Sequence, residues 1–411
     1  MTQMDLATRS SPFIEDGPHF ARDTDSDDVA LAWAATGIVA ILSPLMQARR
    51  SFGGIYWRTL APALERDAGG HPFLMPTKML LALLLVLPLP VFAADTLDIY
   101  WIDVEGGAAT LIITPGGDTV LMDAGWPGFE SRDAKRIEHA LKEAGAEGID
   151  YFVTSHFHTD HAGGLEQLAA LVEIKKFVDH GDSVEQDRER GRKLWQSYLR
   201  VAEGKRMTIR PGDTLRLSGA ELIFVQARGI AIAKSLKGSG PNPYCEGAEL
   251  KKEDTTENGK SVGFVVRMGD FEFLDLGDLT WNIEHELVCP VNRLGEIDLY
   301  QTTHHGLTAS GAPQLVRAIQ PTVAIMNNGP RKGGSAGVWK VLRTADGFQD
   351  LWQGHRNVQT SEAENVDRKM IANLGETEGC QGHWIKASVR KDGTYTIVNS
   401  RNGHSKTYKA R

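Results

Sequence analysis

Residues 154–164 read TSHFHTDHAGG and set His156, His158, Asp160 and His161 within six positions. The apolar run Tyr151–Val153 precedes them and Gly163–Gly164 follow. That is the pattern of a strand that ends in a tight loop. On an extended segment His156 and His158 project to one side, and Asp160 and His161, after the turn, face a second point nearby. Neutral imidazole and carboxylate suit a divalent ion such as zinc, at roughly 2.0–2.2 Å. Two adjacent ions, zinc or manganese, are therefore expected, with a hydroxide between them as nucleophile. The alternative, a polar loop of exposed histidines, does not account for so dense a set of ligand-type residues.

Outward from this stretch, strand-like and helix-like runs alternate. Leu97–Val104, Ala109–Thr114 and Thr119–Asp123 read as strands broken by glycine pairs, and Arg132–Ala144 as a helix before strand Asp150–Thr154. Helix Leu165–Val172 and strand Lys175–Val178 follow the cluster, and the charged run Val184–Ala202 is expected to be a solvated outer helix. Strands Arg206–Arg210, Thr214–Leu217 and Ala220–Gln226 lead into the long connection Gly229–Lys260, a candidate lid. The pattern then repeats. Strands Ser261–Met268 and Phe271–Leu276, helix Trp281–Val288, strand Ile297–Thr302, helix Ala312–Ile319 and strand Thr322–Met326 follow in order. Residues 330–411 form a C-terminal subregion whose runs Trp384–Lys391 and Thr394–Asn399 read as a hairpin. Strands with interleaved helices, twice over, predict an α/β fold in which two packed mixed sheets are flanked by helices, an αββα four-layer sandwich.

Of the 411 residues, 41% are hydrophobic and 24% charged, and the net charge is −8. This globular composition carries no overall basic footprint for nonspecific nucleic-acid binding. Met75–Asp95 places Lys78 before the apolar core Met79–Phe92 and closes with Ala93 and Ala94. A basic start, a short apolar core and a small-residue exit predict a secretory signal peptide over 75–94. The core is too short to span a bilayer comfortably, which takes roughly 20 residues. Residues 1–74 are expected to lie upstream of the true start, Met75; the rival is a membrane helix at Val29–Leu45. On this view the domain 95–411 is periplasmic or secreted and keeps no stable membrane anchor after cleavage. The sequence assigns no oligomeric state. Cys245 and Cys289 are the expected disulfide pair outside the cytoplasm, with Cys380 left over.

The stretch THxHxDHxGG resembles the signature of the metallo-β-lactamase superfamily, and TVLMDAG, 119–125, resembles the Asp-x-Gly strand that precedes it. FLDLGD resembles the motif whose aspartate, here Asp278, bridges two metals, and QTTHHG resembles the last ligand motif. Asn258 to Ser261, Gly277-Asp278 and His304-His305-Gly306 with Ser310 together resemble the hydrolase domain of ComEC-type competence proteins. Thr308 stands where that group often has serine. The resemblance implies metal ligands His156, His158, Asp160, His161, Asp278 and His304 or His305. It also implies that Asp160 and one of His304 and His305 take part in catalysis, and that Asp123, Asn258, Ser261 and Ser310 support the ligands or the substrate.

His180 is the lone histidine between the cluster and Asp278; it is either the third ligand of the first metal or a pocket residue. Adjacent strand residues point to opposite faces, so one of His304 and His305 is expected to bind metal directly and the other to assist a leaving oxygen. Lys332 is a candidate contact for an anionic substrate. The expected activity is metal-dependent hydrolysis of a phosphodiester or a smaller phosphoester. β-Lactamase or lactonase chemistry uses the same ligands, and a mononuclear iron dioxygenase or a non-catalytic binding protein are the remaining alternatives.

Overall fold

The computed structural model describes residues 96–376 and 379–411; the expected signal peptide and upstream segment lie outside the described residues. The chain opens with β1 (Thr96–Trp101), β2 (Thr110–Ile113), β3 (Thr119–Met122), β4 (Gly148–Val153), β5 (Glu173–Asp179) and β6 (Arg206–Thr208). It continues through β7 (Thr214–Leu217), β8 (Ala220–Ala227), β9 (Ile230–Ala231), β10 (Gly240–Pro241), β11 (Gly263–Met268), β12 (Phe271–Asp275) and β13 (Val291–Asn292). The last strands are β14 (Leu299–Gln301), β15 (Val323–Met326), β16 (Asp350–His355), β17 (Ile371–Asn373), β18 (Ile385–Arg390), β19 (Thr394–Asn399) and β20 (Ser405–Lys409).

Two nine-stranded sheets result. The first runs β20-β19-β18-β1-β2-β3-β4-β5-β6, and the second β17-β16-β15-β14-β12-β11-β8-β7, with β9 beside β8. Both are mixed. β1 to β3 pair antiparallel and β3 to β6 parallel, while β8, β11 and β12 pair antiparallel and β12, β14, β15, β16 and β17 parallel. β1 shows why they stack. Leu97, Ile99 and Trp101 turn to the core shared with the second sheet, and Tyr100 and Ile102 turn to the other face. That alternation is the period of two expected of a strand buried on both sides.

Helices α1 (Arg132–Glu143), α2 (Thr159–Ala162), α3 (Leu165–Ala169) and α4 (Glu189–Val201) follow strands of the first sheet. Ile137 and Leu141 of α1, Leu165 and Leu168 of α3 and Trp195 and Tyr198 of α4 bury against the outer face carrying Leu121, Phe152 and Phe177. Helices α5 (Trp281–Val288), α6 (Pro313–Ile319) and α7 (Ala336–Leu342) share a cluster with the second sheet through Leu287, Leu315 and Val338. The order is thus helix, sheet, sheet, helix. Among the described residues no helix is long and apolar enough to cross a membrane.

Three expectations are revised here. The charged segment after β5 is the expected outer helix over part of its length only: α4 begins at Glu189, most of its side chains are exposed, and Trp195 and Tyr198 on its inner face pack on Phe157. The connection 229–260 is pinned rather than free, by the Cys245–Cys289 disulfide and by Asn242, whose side chain donates to the carbonyls of Val288 and Gln314. The C-terminal residues complete both sheets: β16 and β17 extend the second, and β18 to β20 extend the first beside β1.

Candidate metal centre

The centre forms where parallel strands of both sheets end, the usual place for a ligand in an α/β architecture. Asp123 follows β3, the histidine cluster follows β4, Asp278 follows β12, and His304 and His305 follow β14. The loop after β4 closes onto the loop after β3 because Gly164 has no side chain; a Cβ there would collide with the Ala124 carbonyl oxygen. Gly107 lies equally close to the Asp160 carbonyl oxygen and receives the loop from the other side.

Asp160, His161, Asp278 and His305 bring one ligand atom each within 4.8 Å of one another. Asp278 Oδ2 lies 3.2 Å from His161 Nε2 and 3.3 Å from His304 Nε2, and its Oδ1 lies 3.3 Å from His305 Nε2. Both histidines of the HHG motif therefore reach the same carboxylate. The strand geometry expected to separate them does not apply, because they do not lie in a strand. His304 and His305 occupy a turn with φ of 57° and 54°, and Gly306 continues it at 74°. Left-handed backbone costs an L-residue roughly 1–2 kcal/mol, and here it aims two successive rings at one point.

Hydrogen-bond partners assign the proton of each ring. Asp123 Oδ2 accepts from His161 Nδ1 at 2.7 Å, and the Asn327 carbonyl accepts from His305 Nδ1 at 3.2 Å. Neither acceptor has a proton to give, so both Nδ1 atoms carry their hydrogen and the two Nε2 atoms, 3.2 Å apart, are the ones that would bind metal once the rings are neutral. Ser155 Oγ donates to Asp123 Oδ2 at 2.6 Å and accepts from His156 Nδ1 at 3.0 Å. This leaves His156 Nε2 bare, 3.1 Å from His158 Nδ1. Glu185 Oε1, 3.5 Å from His158 Nε2, draws that ring's proton to Nε2 and leaves Nδ1 bare. Lone pairs facing at such distances repel unless a proton or a metal ion lies between them. Two such pairs fit two metal ions, with His156 and His158 serving one and His161 and His305 the other.

The charges agree with a cation site. Burial works against charging His161, yet Asp278, Asp160 and Asp123 hold it well above the ordinary imidazole range. Burial likewise opposes ionisation of Asp278, but His161, His305 and His304 pull it well below the usual carboxylate range. Asp160 is held low against its burial by His161, His305 and Lys332. Burial, with His161 beside it, lowers His156 well below its usual value.

The other expected residues divide. Asp123 supports His161 and, through both carboxylate oxygens, Ser155. Ser310 Oγ donates to the Leu279 carbonyl at 2.6 Å and lies 3.3 Å from His304 Nδ1, so it orients that ring. Asn258 and Ser261 are near: Asn258 lines the cavity, while Ser261 is buried and its Oγ has no hydrogen-bond partner. Lys332 lines the cavity and its ammonium contacts Asp160 Oδ2. His180 is not brought to the cluster. Its Nε2 lies 3.0 Å from Glu257, its ring packs on Phe157, and it lines a separate hollow beside Arg228. The expectation that it completes the first metal's ligands is corrected accordingly.

Three carboxylates escaped the sequence. Glu257 is fully buried and accepts from the backbone of Phe157 and Val184 and from Ser183 Oγ, so it anchors the middle of the cluster. Glu185 supports His158. Asp275 is buried at the end of β12, and burial pushes its carboxyl up to about 7. Asp275 lies inside FLDLGD and Glu257 directly before Asn258, but neither motif assigns them a part, and Glu185 stands in no motif.

A cavity of about 440 Å³ opens over the centre, lined by His158, Asp160, Asp278 and His304 and also by Trp126, Arg188, Arg190 and Lys332. A family model described as the metallo-beta-lactamase superfamily matches residues 102–242. A coenzyme F420H(2) oxidase of Methanothermobacter marburgensis is 30% identical over 106 residues, covering 26% of this chain and 24% of its own length. The chain thus matches about a quarter of that relative. A metallo-beta-lactamase with a HARLDQ motif from Cronobacter sakazakii aligns at 17% identity over 44% of this chain and 60% of its own, with a TM-score of 0.29. The metallo-beta-lactamase fold protein YhfI from Bacillus subtilis aligns at 12% identity over 62% of this chain and 96% of its own, with a TM-score of 0.38.

Proposed function

We propose that the protein is an exported, metal-dependent phosphoesterase acting on a phosphodiester. The observation that carries this is that Arg188, Arg190 and Lys332 line one cavity together with Asp160, Asp278 and His304. Guanidinium and ammonium groups recognise phosphate oxygens, the two arginines as planar forks and the lysine as a point charge. Metal ions held by the two histidine pairs would supply Lewis-acid polarisation and a bound water of lowered pKa. Arg188 and Arg190 would hold the charged ester from α4 and its N-terminal approach. Lys332 would leave Asp160 to meet a substrate oxygen. His304, oriented by Ser310, faces the cavity where a leaving oxygen would depart. Export is part of the proposal, supported by the Cys245–Cys289 disulfide, which persists in oxidising compartments.

The test is turnover of bis-(p-nitrophenyl) phosphate, single-stranded DNA, a cephalosporin and a lactone by protein reconstituted with zinc or manganese, beginning at Met75. Phosphodiester turnover is expected, from material recovered outside the cytoplasm without residues 75–94. Turnover of the cephalosporin or lactone alone would refute the substrate, and retention in the cytoplasm with 75–94 attached would refute export. A second reading rests on the matched F420H(2) oxidase. Carboxylate and imidazole donors also take iron, and a redox role would show as iron in the isolated protein with no hydrolysis of any of the four substrates.

A further inference from the structure

A second group of ligand-type side chains lies outside the cavity. Asp103 follows β1 of the first sheet, His355 ends β16 of the second, and Cys380 lies in the loop before β18. Their ligand atoms fall within 4.8 Å of one another. His355 Nε2 lies 3.0 Å from Asp103 Oδ2 and 3.7 Å from Cys380 Sγ, and Sγ lies 3.3 Å from the same Asp103 oxygen. His355 is fully buried, and its Nδ1 has no hydrogen-bond partner. Cys245 and Cys289 are joined to each other, so Cys380 is the chain's free thiol.

We propose that Asp103, His355 and Cys380 form a separate metal site, taking a divalent ion of zinc's class. The distances carry it. Around a tetrahedral zinc with bonds of about 2.0 Å to oxygen, 2.0–2.1 Å to nitrogen and 2.3 Å to sulfur, the ligand-to-ligand edges are roughly 3.3–3.6 Å. The three observed edges, 3.0, 3.3 and 3.7 Å, bracket that range. One oxygen, one nitrogen and one sulfur meet from three distant segments, and the mixed donor set suits a borderline-soft ion.

Arg136 raises the main objection, because its Nη1 lies 3.2 Å from Asp103 Oδ2. Its charge is already balanced: Glu105 Oε1 lies 3.0 Å from Nη2, and Glu105 also meets Arg132 at 2.8 Å. Without metal, burial opposes charging of His355, but the hydrogen bonds to Asp103 and Cys380 hold its imidazolium up to about 9. Binding a divalent ion would require the thiolate and a deprotonated Nε2, so it would release the protons those atoms carry. The ion would tie the end of β1 to the end of β16. It would also brace the loop 103–107, whose Gly106 packs on Lys332 and whose Gly107 packs on Asp160.

The inference does not rest on the phosphoesterase proposal, and cobalt(II) tests it directly. The ligands of the main centre are histidines and aspartates, so a thiolate-to-cobalt charge-transfer band in the near ultraviolet can arise only from Cys380. Metal-free protein titrated with cobalt should develop that band as well as the weaker visible bands of the main centre. Cys380→Ser should lose the ultraviolet band and one equivalent of bound cobalt while keeping the visible bands. Zinc should slow alkylation of Cys380 by iodoacetamide at least 10-fold. Visible bands without a charge-transfer band, or an alkylation rate indifferent to zinc, would overturn the site.

Discussion

Replacing Asp123 by asparagine tests whether hydrogen bonding, rather than ligand identity alone, makes this centre a metal site. Asp123 Oδ1 accepts from the Ser155 amide at 2.8 Å, while Oδ2 accepts from Ser155 Oγ at 2.6 Å and His161 Nδ1 at 2.7 Å. Asparagine has one oxygen and one NH2, so two orientations exist. If its oxygen stays on the Ser155 amide, its NH2 faces His161 Nδ1 and donates to it. The imidazole proton then moves to Nε2, the atom that must be bare to bind metal. If the amide is flipped, its NH2 opposes the Ser155 N–H, leaving a buried donor unpaired at a cost of about 1–3 kcal/mol. Loss of such a supporting partner weakens metal binding by roughly 10–100-fold, or about 1.4–2.7 kcal/mol. Competition with a chromophoric chelator should show one ion bound 10–100-fold more weakly. The other, held by His156 and His158, should be affected less, and far-ultraviolet circular dichroism should be unchanged. Affinities within about twofold of wild type for both ions would refute the tautomer assignment.

Two further perturbations address the cavity and the fold. Lys332→Ala should raise KM for bis-(p-nitrophenyl) phosphate about 10-fold, the order expected for one charged contact partly screened by solvent. Because Lys332 competes for Asp160, metal affinity should not fall, and a variant with unchanged KM would remove the lysine from substrate binding. Glu257 is held at about 2 against an ordinary 4.5: burial works against its charge, but His180 and the donors Phe157 and Ser183 outweigh it. A depressed carboxyl stabilises the fold above its unfolded value and loses that contribution as pH falls from about 4.5 towards 2, here roughly 3 kcal/mol. Urea midpoints should therefore fall less steeply in that window for Glu257→Gln than for wild type. Equal slopes would refute the assignment.

The alternation of strand-like and helix-like runs made the layered architecture legible, because period-two burial in strands such as β1 writes itself into local sequence. The partners of those strands were not legible. β18 lies beside β1 although 283 residues separate Trp101 from Ile385, its register partner. A hairpin pattern says that two strands pair, not which sheet receives them. The connection 229–260 was legible only in part: the Cys245–Cys289 pair is expected from the cysteines, but Gly, Pro and Lys content is silent about the asparagine that pins it with that disulfide. The charged run at the start of α4 likewise concealed its place, since Arg188 and Arg190, exposed as their charge suggests, also line the cavity.

The same limit governs the centre itself. TSHFHTDHAGG names donors, yet a histidine is a ligand only through the nitrogen that lacks a proton, and that choice is made elsewhere. Asp123 and Ser155 make it for His161 and His156, Glu185 for His158, Asn327 for His305 and Ser310 for His304. Only Ser155 lies inside the motif. The others arrive from the end of β3, the loop after β5, the end of β15 and the turn before α6. A motif transplanted without them would keep every ligand and lose the arrangement of lone pairs that makes two cations welcome. The carboxylate of Glu257, gripping the Phe157 amide between His156 and His158, fixes the spacing of that first pair in the same way. Metal chemistry at this centre is thus a property of the packed strand ends of two sheets, of which the histidine cluster is the most visible part.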